Sequence, residues 1–305
     1  APAPGLAADD LVLAHRSLVA SGLPIRSINL VRGCLSAVKA GRLAERAGPA
    51  AVTTLAISDV EGDDAAVIGS GPTVPSGRSR AEICRKALEA VRAARVELPA
   101  AVTRLLVDGR DRPVRAADGD FPGVAPIDYT VVASIADAVA GAQAELIRRG
   151  YDVAAGEGAA YLRGDTRDAA RRITATLDKL APGTGGKPGA AVFGGETTVT
   201  VASATAGRGG RNLDLAARVA LAIRDRDGAA VAAAGTDGCD GSSRAAGAIV
   251  DGGTAMRAES GGRALEAALA AFDTEPALEA AGDLLVSGPT GTNVGDLVIA
   301  LAFGR

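Results

Sequence analysis

From Tyr129 onwards the chain alternates short apolar runs with amphipathic stretches of helical period, and this alternation constrains the fold more than any other feature. Tyr129–Ala133 and Tyr151–Ala155 read as strands, and Ala136–Arg149 and Asp165–Leu180 as helices. Strands and helices in turn argue for α/β architecture, because each strand then has a helix to cover it. The rhythm continues with strand-like Ala190–Phe193 and Thr197–Ala202 around Gly194-Gly195-Glu196, a helix over Arg211–Arg224 and a strand over Ala229–Ala234. A helix over Gly262–Ala271 and a strand over Leu284–Ser287 follow, and apolar Asp296–Ala302 fits either state. Ahead of Tyr129, Asp9 is placed to cap a helix reaching Ala20, and Ser27–Ala47 is mainly helical with a break at Gly41. Ala51–Ile57 is a short buried strand and Arg80–Arg95 an amphipathic helix. Asp108–Ala125, rich in Gly, Pro, Asp and Arg, is the best linker, and 181–189 is a flexible loop. The expected domains are therefore 1–125 and 126–305.

Composition narrows the chemistry. With four Phe, three Tyr and no Trp among 305 residues, the core has to be built from Ala, Val and Leu. The one histidine, His15, lies in a helical stretch, so triad hydrolysis, His-ligated zinc and haem ligation are poorly supported. Cys34, Cys84 and Cys239 have no CxxC spacing and fit reduced thiols, hence a cytoplasmic protein, better than a disulfide framework. A formal net charge of −3 and few aromatics speak against nucleic-acid binding. No apolar run approaches the ~20 residues of a membrane span. The opening Ala-Pro-Ala-Pro-Gly has neither Met nor a basic leader and reads as an internal start.

Four polar, glycine-bearing loops follow expected strands: SDVEGDD (58–64), GRGGRN (207–212), GTDGCDG (235–241) and SGPTGTN (287–293). Ligands of α/β sheets bind where such loops converge at strand ends. In GRGGRN, Gly207, Gly209 and Gly210 permit close backbone approach, and the helix that follows presents amides and a positive end to phosphate. Arg208 and Arg211 add cations able to grip phosphate bidentately, or else stand solvated at a plain strand-to-helix turn. The spacing is neither a Walker loop nor a complete dinucleotide fingerprint. Asp59, Glu61, Asp63 and Asp64 form an acidic loop suited to Mg²⁺ or a substrate hydroxyl, or else a solvated turn. Asp237 and Asp240 suit metal or hydroxyl binding, or Asx-turns. Ser287, Thr290, Thr292 and Asn293 offer donors to an anion, or simply form a turn set by Gly288-Pro289. Arg32 and Lys39, seven apart, can share a helix face able to meet a carboxylate, or else are ordinary surface charge.

Taken in order, INLVRGCLSAVKAGRLAE (28–45), TLAISDVEGDDAAVIGSGPTVP (54–75), FGGETTVTV (193–201), GRGGRNLDLA (207–216), AAGTDGCDGSSRAAGAIVDG (233–252) and SGPTGTNVGDL (287–297) resemble the type-2 glycerate kinase family, whose C-terminal part is the MOFRL domain. The resemblance implies ATP-dependent phosphorylation of D-glycerate to 2-phosphoglycerate, with ATP and Mg²⁺ as cofactors and a homo-oligomer allowed. It implies a Rossmann-like α/β domain, incomplete here, followed by a smaller α/β domain with a mixed sheet and a MOFRL-like region over 190–305. The family's catalytic Arg falls on Arg211. For the other residues of these motifs the expected roles rest on their chemistry: Asp59 and Asp237 are catalytic, and Gly207, Gly209, Gly210, Asn212, Thr290, Thr292 and Asn293 hold the nucleotide. Arg32, Lys39 and Ser58 face the substrate, and Asp63 and Asp240 hold the metal.

The chain departs from the family pattern in places. GGRNLD replaces the usual GGRNQE, and Ala40 stands where KGGRLA has Gly. The family's Gly/Ser-rich loop and catalytic Lys have no counterpart, and Lys39 is not that Lys. The expectation is that this chain alone, without the missing part, is inactive or nearly so. Two other readings stay open. One is a hydroxypyruvate reductase, against which the incomplete dinucleotide fingerprint counts. The other is a ligand-binding remnant without catalysis.

Overall fold

The computed structural model describes residues 1–74, 79–110, 127–154, 161–180, 187–201 and 207–303, apart from the side chains of Ile25 and Arg110. The expected boundary near 125 lies outside the described residues, as do most of the linker and of the 181–189 loop. The chain forms two compact units, Ala1–Ala56 with Gly62–Thr130, and Ile57–Glu61 with Val131–Arg305.

The first unit is mainly helical. Helix α1 (Ala8–Ala20) is capped by Asp10, whose carboxylate accepts the Ala7 amide at 3.2 Å, rather than by the expected Asp9. Helix α2 (Ile25–Leu35) ends where the Ser36 hydroxyl accepts the amides of Val38 and Lys39, both at 3.2 Å. The Arg42 guanidinium then donates to the Gly33 and Ser36 carbonyls, satisfying that helix end. This turn interrupts the expected helical stretch over 27–47 at Ser36, ahead of the expected break at Gly41. Helix α3 (Arg42–Ala47) resumes after Gly41, whose φ of 82° suits glycine. Strand β1 (Val52–Ile57) pairs with β2 (Ile127–Ala133), and its Leu55 and Ile57 are exposed rather than buried. Helix α4 (Arg80–Ala93) is capped by Ser79, and α5 (Ala100–Arg110) starts after Pro99 in a stretch with no sequence assignment and runs on into the start of the expected linker. Leu18, Val31, Cys34, Leu35, Cys84, Leu88 and Leu106 fill the space between α1, α2, α4 and α5. A Rossmann-like sheet needs more strands than the two found among the described residues of this unit.

The second unit is built on a mixed seven-stranded sheet. Its strands and helices begin with α6 (Ile135–Arg148), β3 (Asp152–Val153), β4 (Leu162–Asp165), α7 (Thr166–Lys179) and β5 (Gly189–Thr198). They continue with α8 (Arg211–Ala222), β6 (Ala229–Gly235), β7 (Gly247–Asp251), α9 (Thr254–Ser260), α10 (Leu265–Ala270), α11 (Thr274–Ala281), β8 (Leu284–Leu285) and β9 (Asp296–Ala302). The order is β3-β5-β9-β6-β7-β8, with β4 also parallel to β5. The two strands expected on either side of Gly194-Gly195 are one continuous strand, β5. Both glycines admit close neighbours instead of ending it: a Cβ on Gly194 would fall 2.4 Å from Ile135, and one on Gly195 would strike the Leu162 backbone.

Successive side chains of β9 point to opposite faces of the sheet, one face fully buried and the other partly. Val298 and Ala300 join Phe193, Val231 and the apolar faces of α7 and α8 in the main core. Leu297, Ile299 and Leu301 pack with Val139 and Leu146 of α6 on the other face. The core is largely Ala, Val and Leu, as the composition demands. Among the described residues no helix is long and apolar enough to cross a membrane.

Candidate active site

Sheet register brings the site together. Strand β9 runs antiparallel to both β5 and β6, and Asp296, its first residue, pairs with Gly195 on one side and Gly235 on the other. Residues leaving the C-terminal ends of β5 and β6 therefore surround Asp296, and the N-terminus of α8 meets them there. Asp296, with a side chain only 5% exposed, accepts from Arg211 Nε at 2.6 Å and Nη2 at 3.0 Å, and from Asn212 Nδ2 at 3.0 Å. Arg211 Nη1 donates to Glu196 at 2.8 Å. Burial opposes the Arg211 charge, but the Asp296 hydrogen bonds and the charges of Asp296, Glu196 and Asp240 outweigh it. They hold the guanidinium firmly protonated.

Beside this cluster lies a cavity of about 470 Å³, lined by Glu196, Thr197, Arg211, Asp214, Ser242 and Thr274 among others. Its size falls within the range usual for small-molecule sites. Gly207, Gly209 and Gly210 line it too, and each is there because a Cβ would collide: with Asp273, with Thr274 Oγ1 and with the Asp240 backbone, respectively. Thr197 Oγ1 and Asn212 Oδ1 are buried with no hydrogen-bond partner among the described residues.

Several sequence expectations change here. Asp240 is not placed as a metal ligand. Its carboxylate accepts the Asn212 amide at 3.1 Å, Asn212 Nδ2 at 3.2 Å and the Leu213 amide at 2.8 Å, so it caps α8 in place of Gly210, which has no side chain. Burial pushes the Asp240 carboxyl up, against those hydrogen bonds. The amides at the start of α8 are thus partly spent on the protein's own carboxylate. Asp237 holds the Cys239 amide at 3.0 Å in an Asx-turn. Thr290, Thr292 and Asn293 are exposed and do not line the cavity. Thr290 Oγ1 donates to the Thr236 carbonyl at 2.6 Å and so ties its loop to the 236–240 loop. Among the described residues no three His, Cys, Asp or Glu side chains are grouped to hold a metal ion.

Ser58 is buried in the second unit and donates its amide to the Ala133 carbonyl at 2.8 Å; Asp59 beside it is exposed. Asp63, Arg32 and Lys39 belong to the first unit. There Arg32 and Lys39 do not share a helix, since α2 stops between them. The chain still brings them near each other: burial and then the Arg32 charge lower the Lys39 pKa, and Lys39 Nζ donates to Ser70 Oγ at 3.2 Å.

Sequence reasoning missed Glu196 and Asp296, although both lie in the motifs named above. An Asp heading an apolar strand, and a Glu after two glycines, are the signals that mark them. Glu275 was missed as well. It is 1% exposed, its carboxylate has no hydrogen bond among the described residues, and Arg208 and Arg244 stand 3.6 Å away. Its amide donates to the Arg208 carbonyl at 3.0 Å, which places it behind the glycine turn.

Residues 189–296 match the MOFRL family, and residues 1–107 match a domain of unknown function, DUF4147. The chain is 36% identical over 98% of its length to a D-glycerate 2-kinase of Thermotoga maritima, covering 68% of that protein. It belongs to the glycerate 2-kinase family. A crystal structure of glycerate kinase from Thermotoga maritima superposes with a TM-score of 0.78 at 32% identity, over 99% of this chain and 69% of that one. A family relative in Agrobacterium vitis, named as a hydroxypyruvate reductase, is 36% identical over 93% of this chain and 62% of its own length. The family's mixed α/β architecture is the one described above.

Proposed function

We propose that the chain serves ATP-dependent phosphorylation of D-glycerate, with Arg211 contacting the phosphate in transit. The observation that carries this reading is a protonated guanidinium fixed on two nitrogens by buried Asp296 at the edge of the cavity. Phosphoryl transfer gains most from cations already in position where charge develops, and needs no nucleophilic side chain. Asp296 keeps the Arg211 plane from turning. Exposed Glu196 holds Nη1 and is the group an incoming phosphate would displace. Thr197 Oγ1, which lines the cavity, is an unpaired polar atom available to a substrate hydroxyl. Mg²⁺, when it arrives with the nucleotide, supplies charge neutralisation. It would be held chiefly by phosphate oxygens and water, since Asp240 is committed to α8. Arg32 and Lys39 are proposed for the glycerate carboxylate.

The test is ADP release with D-glycerate and Mg-ATP, with product identified by phosphorus NMR. Turnover that yields 2-phosphoglycerate supports the reading. Absence of turnover in the full-length gene product, with nicotinamide oxidation on hydroxypyruvate instead, would replace it with the reductase. In the active protein, Arg211→Ala is expected to lower kcat by roughly 10²–10³-fold with folding retained.

A further inference from the structure

Two cysteines meet inside the first unit. Cys34, near the end of α2, and Cys84, in α4, are both fully buried, and their Sγ atoms lie 3.1 Å apart. That is hydrogen-bond distance for two thiols, and about 1 Å more than a disulfide bond. One side of the pair faces a glycine rather than a side chain. Gly109 of α5 stands against it, so close that a Cβ there would fall 2.7 Å from Cys84 Sγ. Gly109 also lines an open cleft of about 390 Å³, together with Arg80, Arg104 and Asp108. Arg80 precedes Cys84 by one helical turn, and its Nε is buried without a hydrogen-bond partner among the described residues.

We propose that Cys34 and Cys84 are an oxidative modification site, a thiol pair that a hydroperoxide converts to an intramolecular disulfide with Cys84 as the attacking sulfur. The electrostatics favour that order. The hydrogen bond shared with Cys34 lowers the Cys84 thiol to about 7, with Arg80 and Arg42 acting in the same direction against burial. The same contact and burial push Cys34 up, so Cys34 keeps its proton. The Cys84 thiolate attacks the hydroperoxide, the O–O bond breaks, and the leaving alkoxide takes a proton to become an alcohol. Cys84 is then a sulfenic acid. The Cys34 sulfur gives up its proton and attacks Cys84; the S–O bond breaks and hydroxide leaves as water. In sum two thiols lose two electrons and two protons, and the hydroperoxide is reduced to alcohol and water.

The test treats the whole chain with rising concentrations of hydrogen peroxide or an alkyl hydroperoxide. The chain is then denatured, its free thiols are alkylated, and the peptides are mapped by mass. Cys34 and Cys84 are expected to leave the alkylatable pool together, in one cross-linked peptide that dithiothreitol restores. Exposed Cys239 has no cysteine partner among the described residues and reports general oxidation. In Cys34→Ser, Cys84 is expected to stop at a sulfenic acid trapped by a dimedone probe. Oxidation of Cys239 while Cys34 and Cys84 remain fully alkylatable would overturn the proposal, and so would a cross-link joining either of them to Cys239. The deciding cross-link is read in the unsubstituted chain, so a poorly folding variant does not obscure it.

Discussion

At the scale of single residues, one buried carboxylate decides how the site is organised. Asp296 fixes the guanidinium of Arg211 and the amide of Asn212 at once, while Arg211 remains 34% exposed towards the cavity. Asp296→Asn keeps the shape and removes the charge. The expected cost is about 2–3 kcal/mol in urea unfolding, below that of a fully buried pair because water reaches Arg211. In the same variant kcat is expected to fall while KM for glycerate changes little, since the proposed contact of Arg211 with the moving phosphate loses its orientation. A folded Asp296→Asn enzyme with unchanged kcat would refute that assignment. Arg211 was legible in GRGGRN as a candidate, because glycines and arginines before a helical run suit phosphate, although a solvated strand-to-helix turn carries the same letters. Asp296 was not, because an acidic residue beginning an apolar run carries no sign of what it will face until the sheet is paired. Asp240 misled for the same reason: its partners are Asn212 and Leu213, and nothing local to GTDGCDG announces a helix end 28 residues upstream.

At the scale of elements, α8 shows how a helix can be capped from elsewhere in the chain. Gly210 had to be small to let the Asp240 backbone approach, and the cap was supplied by the residue that crowded it. Asp240→Ala is expected to cost about 1–2 kcal/mol, the scale of a lost N-cap, and to loosen Arg211 at the first position of α8. Denaturant unfolding measures the first effect. A variant as stable as the parent would show that the cap contributes nothing. Most of the longer helices and central strands were legible from period and length, within a few residues. The exceptions have physical causes. The Ser36 hydroxyl broke a helix that apolar spacing would have continued, β5 ran through a glycine pair that looked like a turn, and α5, β4, β7, α9 and α11 went unread. Of these, β4 is short and α9 and α11 take their burial from the α8 side of the sheet, so their patterns mean little alone.

At the scale of the whole molecule, charge is arranged in local networks, and one of them sets an acid limit. In the second unit Arg257 donates to Asp251 at 3.0 Å and to Asp283 at 2.8 Å, and to Thr254 at 3.1 Å. Burial works against the Asp251 charge, but the Arg257 hydrogen bond and the Gly253 amide prevail and hold its carboxyl below the ordinary range. A carboxyl depressed on folding stabilises fully above its unfolded pKa of about 3.9, and that contribution fades as pH falls through the lower folded value. Asp251→Asn is therefore expected to flatten the acid side of a plot of unfolding midpoint against pH while changing its slope little near neutrality. An unchanged acid slope would show that the network carries no such linkage.

The place of Asp296 at the head of β9 has a consequence for how this protein would fail. β9 is flanked on both sides by paired strands and covered on both faces, so its amides are expected to be among the slowest to exchange with deuterium. The anchor of the site therefore belongs to the part of the unit that opens last. A one-residue slip would shift Asp296 by about 3.4 Å and turn it to the opposite face. Partial fraying at the sheet margins, where β3 and β8 lie, leaves it untouched. Heat or denaturant should then abolish phosphate handling in a single step with the collapse of the sheet, and deuterium exchange at β9 would report the integrity of the site without any substrate present.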